Sequence, residues 1–540
     1  MKPVQVAQLD ERPQIAVLPD GGLWGLSILK EALEQKLLYR TSADGGRSWS
    51  ELDLLFDLPV EPGRWGGCLV LVDREGEIHT FLLNDRNTGV FRDPSVKDQP
   101  GPLPMGDRRI DVWHTRTESA RSQWQDLKRI WTGYTGSINS VIQLRSGRIV
   151  LPFAYQTRRS WRDRGEGLDA FWYVGQSNST VVYSDDNGET WTRSTSELKV
   201  QTPSIGTYGG VEPVIIQLKD GRVWMLIRTQ LGRFYESFSE DGATWSPPSP
   251  SGLINSDSPA GLVRLPDERI VLFWNKCLRY PYAHGGRHVL HAAVSDDEGE
   301  IWRGHREVLR DPMRHEPPPP GGDHGTAYPF PVALPDGSVL ATTGQGKGRV
   351  VVVSVDPDWL CETCQETDFG DGLDDWSTFG TRGVGLTPHP DDAAGQALSI
   401  ARVDGDWPAT AVWNFPMARK GSLGLRIRLS EGFGGGKVML MDHFSTPLDP
   451  EDALNALFCL AIHADCGTAI GGRLTTGRWH DLRLDWDCAG RQSRVQLDDV
   501  SLGSLPLLRQ SDGPCYLRLK ATGEAGSGKM EIDRVSMEGK

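Results

Sequence analysis

Two charged residues stand where the chain is otherwise apolar. Glu212 and Arg228 bracket the run VEPVIIQLKDGRVWMLIR, in which apolar stretches flank a Lys-Asp-Gly bend. That pattern reads as strand, tight turn, strand. One strand up and one strand down from a shared turn sets the carboxylate and the guanidinium side by side at one end of the hairpin. A buried charge is costly unless it is paired. The least such a pair does is neutralise itself, and the same two groups also suit gripping an anion or accepting a proton. Three more residues of reactive type precede or open strands: Arg12 in ERPQIAVLPDG, Arg287 in GGRHVLHAAVSDDEGEIW and Tyr328 in HGTAYPFPVALPDGSVL.

Residues so far apart in sequence act together only if the fold gathers them. Two repeats say how. Four segments rhyme: SADGGRSW at Ser42–Trp49, SDDNGETW at Ser184–Trp191, SEDGATW at Ser239–Trp245 and SDDEGEIW at Ser295–Trp302. In each, Ser and Asp side chains can close a local loop onto backbone groups. Gly supplies the positive φ, and Trp covers the turn with apolar area. The second repeat is a hairpin with Asp-Gly, Ser-Gly or a similar bend. It occurs at Val17–Leu26, Leu71–Leu82, Ile142–Phe153, Ile216–Ile227, Val263–Trp274 and Val332–Thr343. Repeated short-strand units of this length predict a propeller, and six hairpins predict six blades. A propeller collects loops from every blade around one axial mouth.

The rhyming segments resemble the Asp-boxes of the sialidase superfamily. Four in one chain, one of them a residue shorter, make the resemblance specific, and they cover the first two thirds of the sequence. The resemblance implies an all-β fold, with residues 1–365 as a six-bladed sialidase-like propeller. It also implies roles. Arg12, Arg228 and Arg287 match the positions of a three-arginine carboxylate clamp. Tyr328 matches the nucleophilic tyrosine, and Glu212 the glutamate that assists it. The chemistry is consistent. Each charge-assisted bond from a guanidinium is worth roughly 1.5–3 kcal/mol, so three arginines hold an anionic sugar in one orientation. A neutral tyrosine is not repelled by the substrate carboxylate, but its pKa of about 10 calls for a neighbouring base.

The chain departs from that pattern in three places. The family's acid/base aspartate belongs in the stretch Gly22–Thr41, which has no Asp; Glu31 and Glu34 are the available substitutes. The aspartate beside the N-acetyl pocket belongs in Gly63–Asp73, where glycines stand instead. The glutamate that braces the first arginine is replaced by Gly344 and Gln345. The expected function is therefore a sialidase-like exo-glycosidase acting on the terminal acidic sugar of a glycan. Two alternatives remain. One is a lyase acting on uronate-containing glycans, with His324, His284 or Tyr328 moving the proton. The other is a non-catalytic glycan-binding propeller.

Beyond the sixth hairpin, Gly348–Leu360 reads as a last strand and Glu366–Gly383 as a linker. Residues 366–540 alternate as in LRIRLS and LRLDWD, which predicts sheets with one buried face and hence a β-sandwich. GRWHDLRLDWD followed by RVQLDDV resembles a laminin-G or concanavalin-A-like domain, a carbohydrate-binding or structural unit. Leu26–Tyr39 fits either a short helix or strand plus loop. The net charge of −14 is spread along the chain and disfavours nucleic acid. No stretch is long and apolar enough to span a membrane, and the amino terminus lacks a signal-peptide core. The expected location is cytoplasmic as given, or secreted or periplasmic if a leader was removed. The lone Cys361-x-x-Cys364 motif lacks a second half-site, so no metal is expected, nor any cofactor. The sequence carries no signature of an oligomer.

Overall fold

The computed structural model describes residues 1–9, 12–29, 35–61, 63–86, 109–119, 122–133, 135–156, 177–201, 207–278, 286–315, 324–346, 348–379, 382–405, 408–446 and 452–540. Each of the six hairpins forms the inner half of a four-stranded antiparallel sheet. The first blade is Gln14–Val17, Leu23–Leu29, Lys36–Ser42 and Asp53–Asp57. The second is Arg64–Val72, Ile78–Asp85, Ile110–Thr117 and Lys128–Trp131. The third is Ile142–Gln143, Ile149–Gln156, Ser177–Ser184 and Thr192–Arg193. The fourth is Val211–Gln217, Val223–Arg228, Arg233–Ser239 and Ser249–Ile254. The fifth is Gly261–Arg264, Ile270–Trp274, Val289–Ser295 and Arg303–Arg310. The sixth takes Phe330–Ala333, Val339–Thr343 and Val351–Val355 from one end of the propeller region and its outer strand, Val4–Gln8, from the amino terminus. That strand pairs with Val351–Ser354 and ties the two ends of the ring together. The described ends of Leu26–Tyr39 are strand rather than helix: Leu26–Leu29 and Lys36–Tyr39 belong to two neighbouring, paired strands of the first blade.

The rhyming turns work as their residue types require. Ser184 Oγ accepts from Gly188 N at 2.8 Å, while Asp186 Oδ1 accepts from Ser184 Oγ at 2.8 Å and from Thr190 N at 2.9 Å. The same contacts recur at Ser295, Asp297, Gly299 and Ile301. Trp191 Nε1 donates back to Gly188 O at 3.2 Å. Hydroxyl and amide donors from Thr190 hold the Asp186 carboxyl down at about 2, so it is ionised at any physiological pH. These turns link neighbouring blades rather than face the axis. Gly188, for example, lies against His114 and His79 of the second blade, where an added Cβ would come within 2.6 Å of His114.

The remaining strands form two further sheets. One runs in the order Val384–Pro388, Gln396–Ile400, Met530–Gly539, Lys420–Leu429, Trp479–Asp487, Gln492–Leu497 and Val500–Pro506, with Cys364–Thr367 also paired to Met530–Gly539. The other runs Trp376–Phe379, Ala409–Asn414, Tyr516–Ala521, Gly436–Met441 and Phe458–Ile462. The stretch read as a linker thus contains strand Trp376–Phe379 and the end of Cys364–Thr367, since both find partners far along the chain. Leu517 and Leu519 join the sandwich core. Tyr516, with Val412, Met439 and Met441 on the neighbouring strands, instead packs against Cys277 and Val289 of the fifth blade. Polar contacts lock this junction: Tyr516 OH donates to Glu307 Oε1 at 2.7 Å, Asn414 Oδ1 accepts from Glu307 N at 2.8 Å, and Phe444 N donates to Lys276 O at 3.0 Å. The eight cysteines are unbridged. No described helix is long and apolar enough to cross a membrane.

The turn chemistry is testable at the fifth blade. Ser295→Ala strips a buried hydroxyl from Gly299 N–H, and such a loss costs about 1–3 kcal/mol. Urea denaturation should show that loss; a change under about 0.5 kcal/mol would mean the turn does not depend on the hydroxyl.

Candidate functional site

The side-by-side placement of Glu212 and Arg228 comes with a refinement. Val211 pairs with Arg228, but the register shifts between Val211 and Val214, so Glu212 lies in a bulge. A bulge re-aims a side chain. Glu212 has φ 49°, and Tyr328, before the sixth hairpin, has φ 63°. Both precede a proline, Pro213 and Pro329. Left-handed backbone at non-glycine residues costs of order 1 kcal/mol or more and persists only where the surroundings enforce it.

The two strained residues meet. Tyr328 OH donates to Glu212 Oε1 at 2.8 Å. Arg228 Nη1 donates to Tyr328 OH at 3.1 Å and to Glu212 Oε2. On its other edge, Arg228 Nε donates to Asp257 Oδ1 at 2.7 Å, and Nη2 donates to Tyr208 OH at 3.0 Å. Tyr208 OH in turn donates to Asp257 Oδ1, and Gln230 Nε2 to Asp257 Oδ2 at 3.2 Å. One guanidinium therefore lies between two tyrosine–carboxylate pairs. Glu212, Arg228, Asp257 and Tyr328 are all buried.

Arg287 is only 1% exposed. Its Nη2 donates to the backbone oxygen of Asp257 at 2.8 Å, and its Nη1 to Gln345 Oε1 at 2.7 Å. Its guanidinium lies 5.7 Å from the centre of the Tyr328 ring. Arg12, half-buried, lies 5.1 Å from the same ring and 5.2 Å from that of Phe330. The segment leading to Tyr328 is clipped to Arg287, just ahead of the strand Val289–Ser295. Thr326 N donates to Arg287 O at 2.8 Å, and a Cβ on Gly325 would fall 2.1 Å from that oxygen, so only glycine fits. The fold thus gathers Arg12, Glu212, Arg228, Arg287 and Tyr328 from four blades. Burial, then the Glu212 charge, raises the Tyr328 phenol above its ordinary value; Arg228 and Arg287 offset part of this. The phenol is neutral at physiological pH.

Glu31, Glu34 and His284 lie outside the described residues. His324 is buried, its ring edge-on to His288 with centroids 6.0 Å apart. Gln345 takes a bracing position, but on Arg287 rather than Arg12. Asp257 and Tyr208 escaped the sequence reading. Asp257 sits in NSDSPA, a loop between the fourth and fifth blades, and Tyr208 in TYGG ahead of the fourth. Neither stretch has strand periodicity or a motif; the one signal available for Asp257 is an acidic residue between two blade hairpins, and Tyr208 has none. Among the described residues the one group spaced for a metal is Asp73, Glu77 and His79 in the second blade. There Glu77 is already bonded by Arg116 at 2.8 Å and Asn187 at 2.9 Å, and the His79 ring stacks on His114.

Residues 64–341 match the family model described as BNR repeat-like domain. No curated protein matches the chain. Among solved structures, a Dyadobacter fermentans protein of unknown function is 17% identical with a TM-score of 0.47, over 66% of this chain and 97% of that one. Trypanosoma rangeli sialidase in complex with sialic acid is 13% identical with a TM-score of 0.42, over 98% of this chain and 90% of that one.

Two outcomes follow from the buried network. Arg228→Met leaves two carboxylates buried without their partner and should cost about 3–5 kcal/mol in urea denaturation; a cost under about 1 kcal/mol would show that water already screens them. Tyr328 binds its proton more tightly folded than unfolded. Its contribution to stability is full below the unfolded value of about 10 and is lost as pH rises beyond it. Stability measured from pH 9 to 11 should fall less steeply in Tyr328→Phe than in the wild type; parallel curves would refute the shift.

Proposed function

Because the chain belongs to the BNR repeat-like domain family, we propose that this sialidase-like propeller is an exo-glycosidase that removes a terminal carboxylate-bearing sugar from a glycan. The observation that carries the reading is the hydrogen bond from Tyr328 OH to Glu212 Oε1, with Arg228 donating to both partners. Glu212 takes the phenol proton as Tyr328 attacks the anomeric carbon. Arg228 and Arg287, both close to the phenol, stabilise the phenolate character that develops. Because the phenol is neutral beforehand, it meets a substrate carboxylate without repulsion. The covalent glycosyl–tyrosine is then released by water, which restores the phenol.

Substrate holding falls to the arginines. Arg12 is the most exposed of the three and lies over the Tyr328 ring, where an incoming carboxylate would meet it first. Arg228 and Arg287 are held by Asp257, Glu212 and Gln345 and set the field rather than move. Glu31 or Glu34 is the assigned proton donor to the leaving oxygen. Arg64–Val72 carries glycines and no carboxylate to accept from an acylamino N–H, so the sugar need not carry an acylamino group at that edge.

A fluorogenic aryl glycoside of sialic acid, and one of its deaminated analogue, test the proposal. The wild type should release the fluorophore, and Tyr328→Phe should lower kcat/KM by about 10³-fold or more. Two results would sink it. One is new ultraviolet absorbance from an unsaturated uronate when a uronate-containing glycan is supplied, with no fluorophore released from either glycoside, which marks a lyase. The other is saturable glycan binding without turnover that Tyr328→Phe leaves unchanged, which marks a binding propeller.

A further inference from the structure

A second charged arrangement lies away from the axial mouth, where the fifth blade meets the sandwich. A cleft of about 1290 Å³ opens there, with Trp224, Lys276, Trp302 and His305 on the propeller side and Met417 and Arg509 on the sandwich side. Lys276 is 5% exposed, yet among the described residues no carboxylate lies within 4.0 Å of its ammonium. Its Nζ instead meets His305 Nδ1 at 2.6 Å, with the sulfurs of Met417 and Cys515 at 3.8 and 4.0 Å. A buried ammonium without a counter-charge is expensive.

The chain goes out of its way to build this contact. The strand Arg303–Arg310 pairs Ala293 with Gly304 but Ala292 with Arg306, so His305 is the extra residue of a bulge. It has φ 53°, a left-handed conformation that a non-glycine residue adopts at a cost. The bulge turns the ring edge-on to Trp274, with centroids 5.3 Å apart. Asn414 Nδ2 holds the bulge by donating to His305 O at 3.2 Å, and Met417 N by donating to Gly304 O at 2.9 Å.

The tautomer follows from the partners. An ammonium has only donors, so Nδ1 accepts and the ring proton sits on Nε2. Burial, and next the Lys276 charge, keeps this ring neutral. That Nε2 is buried and has no hydrogen-bond partner, and His305, a residue only 5% exposed, lines the cleft. The carboxylate whose charge reaches His305 is Asp442, and it is already taken. Arg509 binds both its oxygens, and His443 Nδ1 lies 2.7 Å from Oδ1. The arrangement lacks one thing, an acceptor carrying negative charge.

We propose that the cleft between propeller and sandwich is an oxyanion-binding site, in which Lys276 polarises His305 so that its Nε2–H donates to a carboxylate or phosphate oxygen of a small acidic molecule. The site is separate from the tyrosine–glutamate centre and stands whether or not that centre hydrolyses glycosides.

Titration calorimetry of the full chain with inorganic phosphate and, separately, with glucuronate tests this. Either probe should give saturable heat with a dissociation constant below about 10 mM, and the stronger one identifies the kind of oxyanion. His305→Phe keeps a ring against Trp274 but removes the donor; it should weaken binding at least tenfold. Tyr328→Phe should leave binding unchanged. No saturable heat with either probe, or binding in His305→Phe equal to wild type, or loss in Tyr328→Phe alone, would each overturn the site. Crystals soaked with the stronger probe give a second readout independent of the variant: an oxygen at about 3 Å from His305 Nε2 supports the proposal, and density at the axial mouth only refutes it.

Discussion

Everything at the axial mouth hangs on the need to neutralise one buried guanidinium. Arg228 is enclosed where hydration is lost, and desolvating a full charge is tolerable only with opposite charge in contact. Glu212 supplies it on one edge and Asp257 on the other. Once those contacts exist, the positions of the two tyrosines follow, since each phenol both donates to one of the carboxylates and accepts from the arginine. The backbone carbonyl of Asp257 then fixes Arg287. A single residue that carries charge in its side chain and an acceptor in its backbone thus connects two arginines from different blades.

The strands on either side are regular, and the irregularities are local and purposeful. Glu212 and His305 both sit in bulges with positive φ, one in the fourth blade at the axial mouth and one in the fifth at the sandwich. Tyr328 shares the left-handed conformation without being in a strand. At the two bulges a side chain that would have alternated into a sheet face is redirected to meet a charge from elsewhere. The sandwich matters to this because it is bonded to the propeller, not merely tethered. The contacts of Tyr516, Asn414 and Phe444 with the fifth blade make the strand that carries His305 and Glu307 part of both units.

The readable part of the site was the part written as local pattern. Arg228 and Glu212 stood out because a charge interrupts an apolar run, and a hairpin has only one way to juxtapose its ends. Tyr328 and Arg287 stood out because each abuts a strand that pattern locates. Asp257 and Tyr208 lie in inter-blade segments whose conformation comes from packing between blades, so nothing periodic marks them. Gln345 stood where a bracing glutamate was expected; that it braces Arg287 depends on a long-range bridge between Gly325 and Gln345 that local pattern does not encode. The linker reading around Trp376 failed for the same reason, because that strand exists only through its pairing with Ala409–Asn414.

By itself the sequence determined the repeated unit. Alternation, Gly at the bends and the Ser-Asp-Gly-Trp turn are short-range instructions, each satisfied within one hairpin or one turn, so the blades and their number could be counted from them. Tertiary structure decided three further matters: that the amino-terminal strand completes the last blade, that an unmarked aspartate joins two arginines, and that a bulged histidine presents a donor to the cleft between units. Each depends on the energy of charges and unpaired polar groups removed from water, and that energy is set by which distant segments close over them.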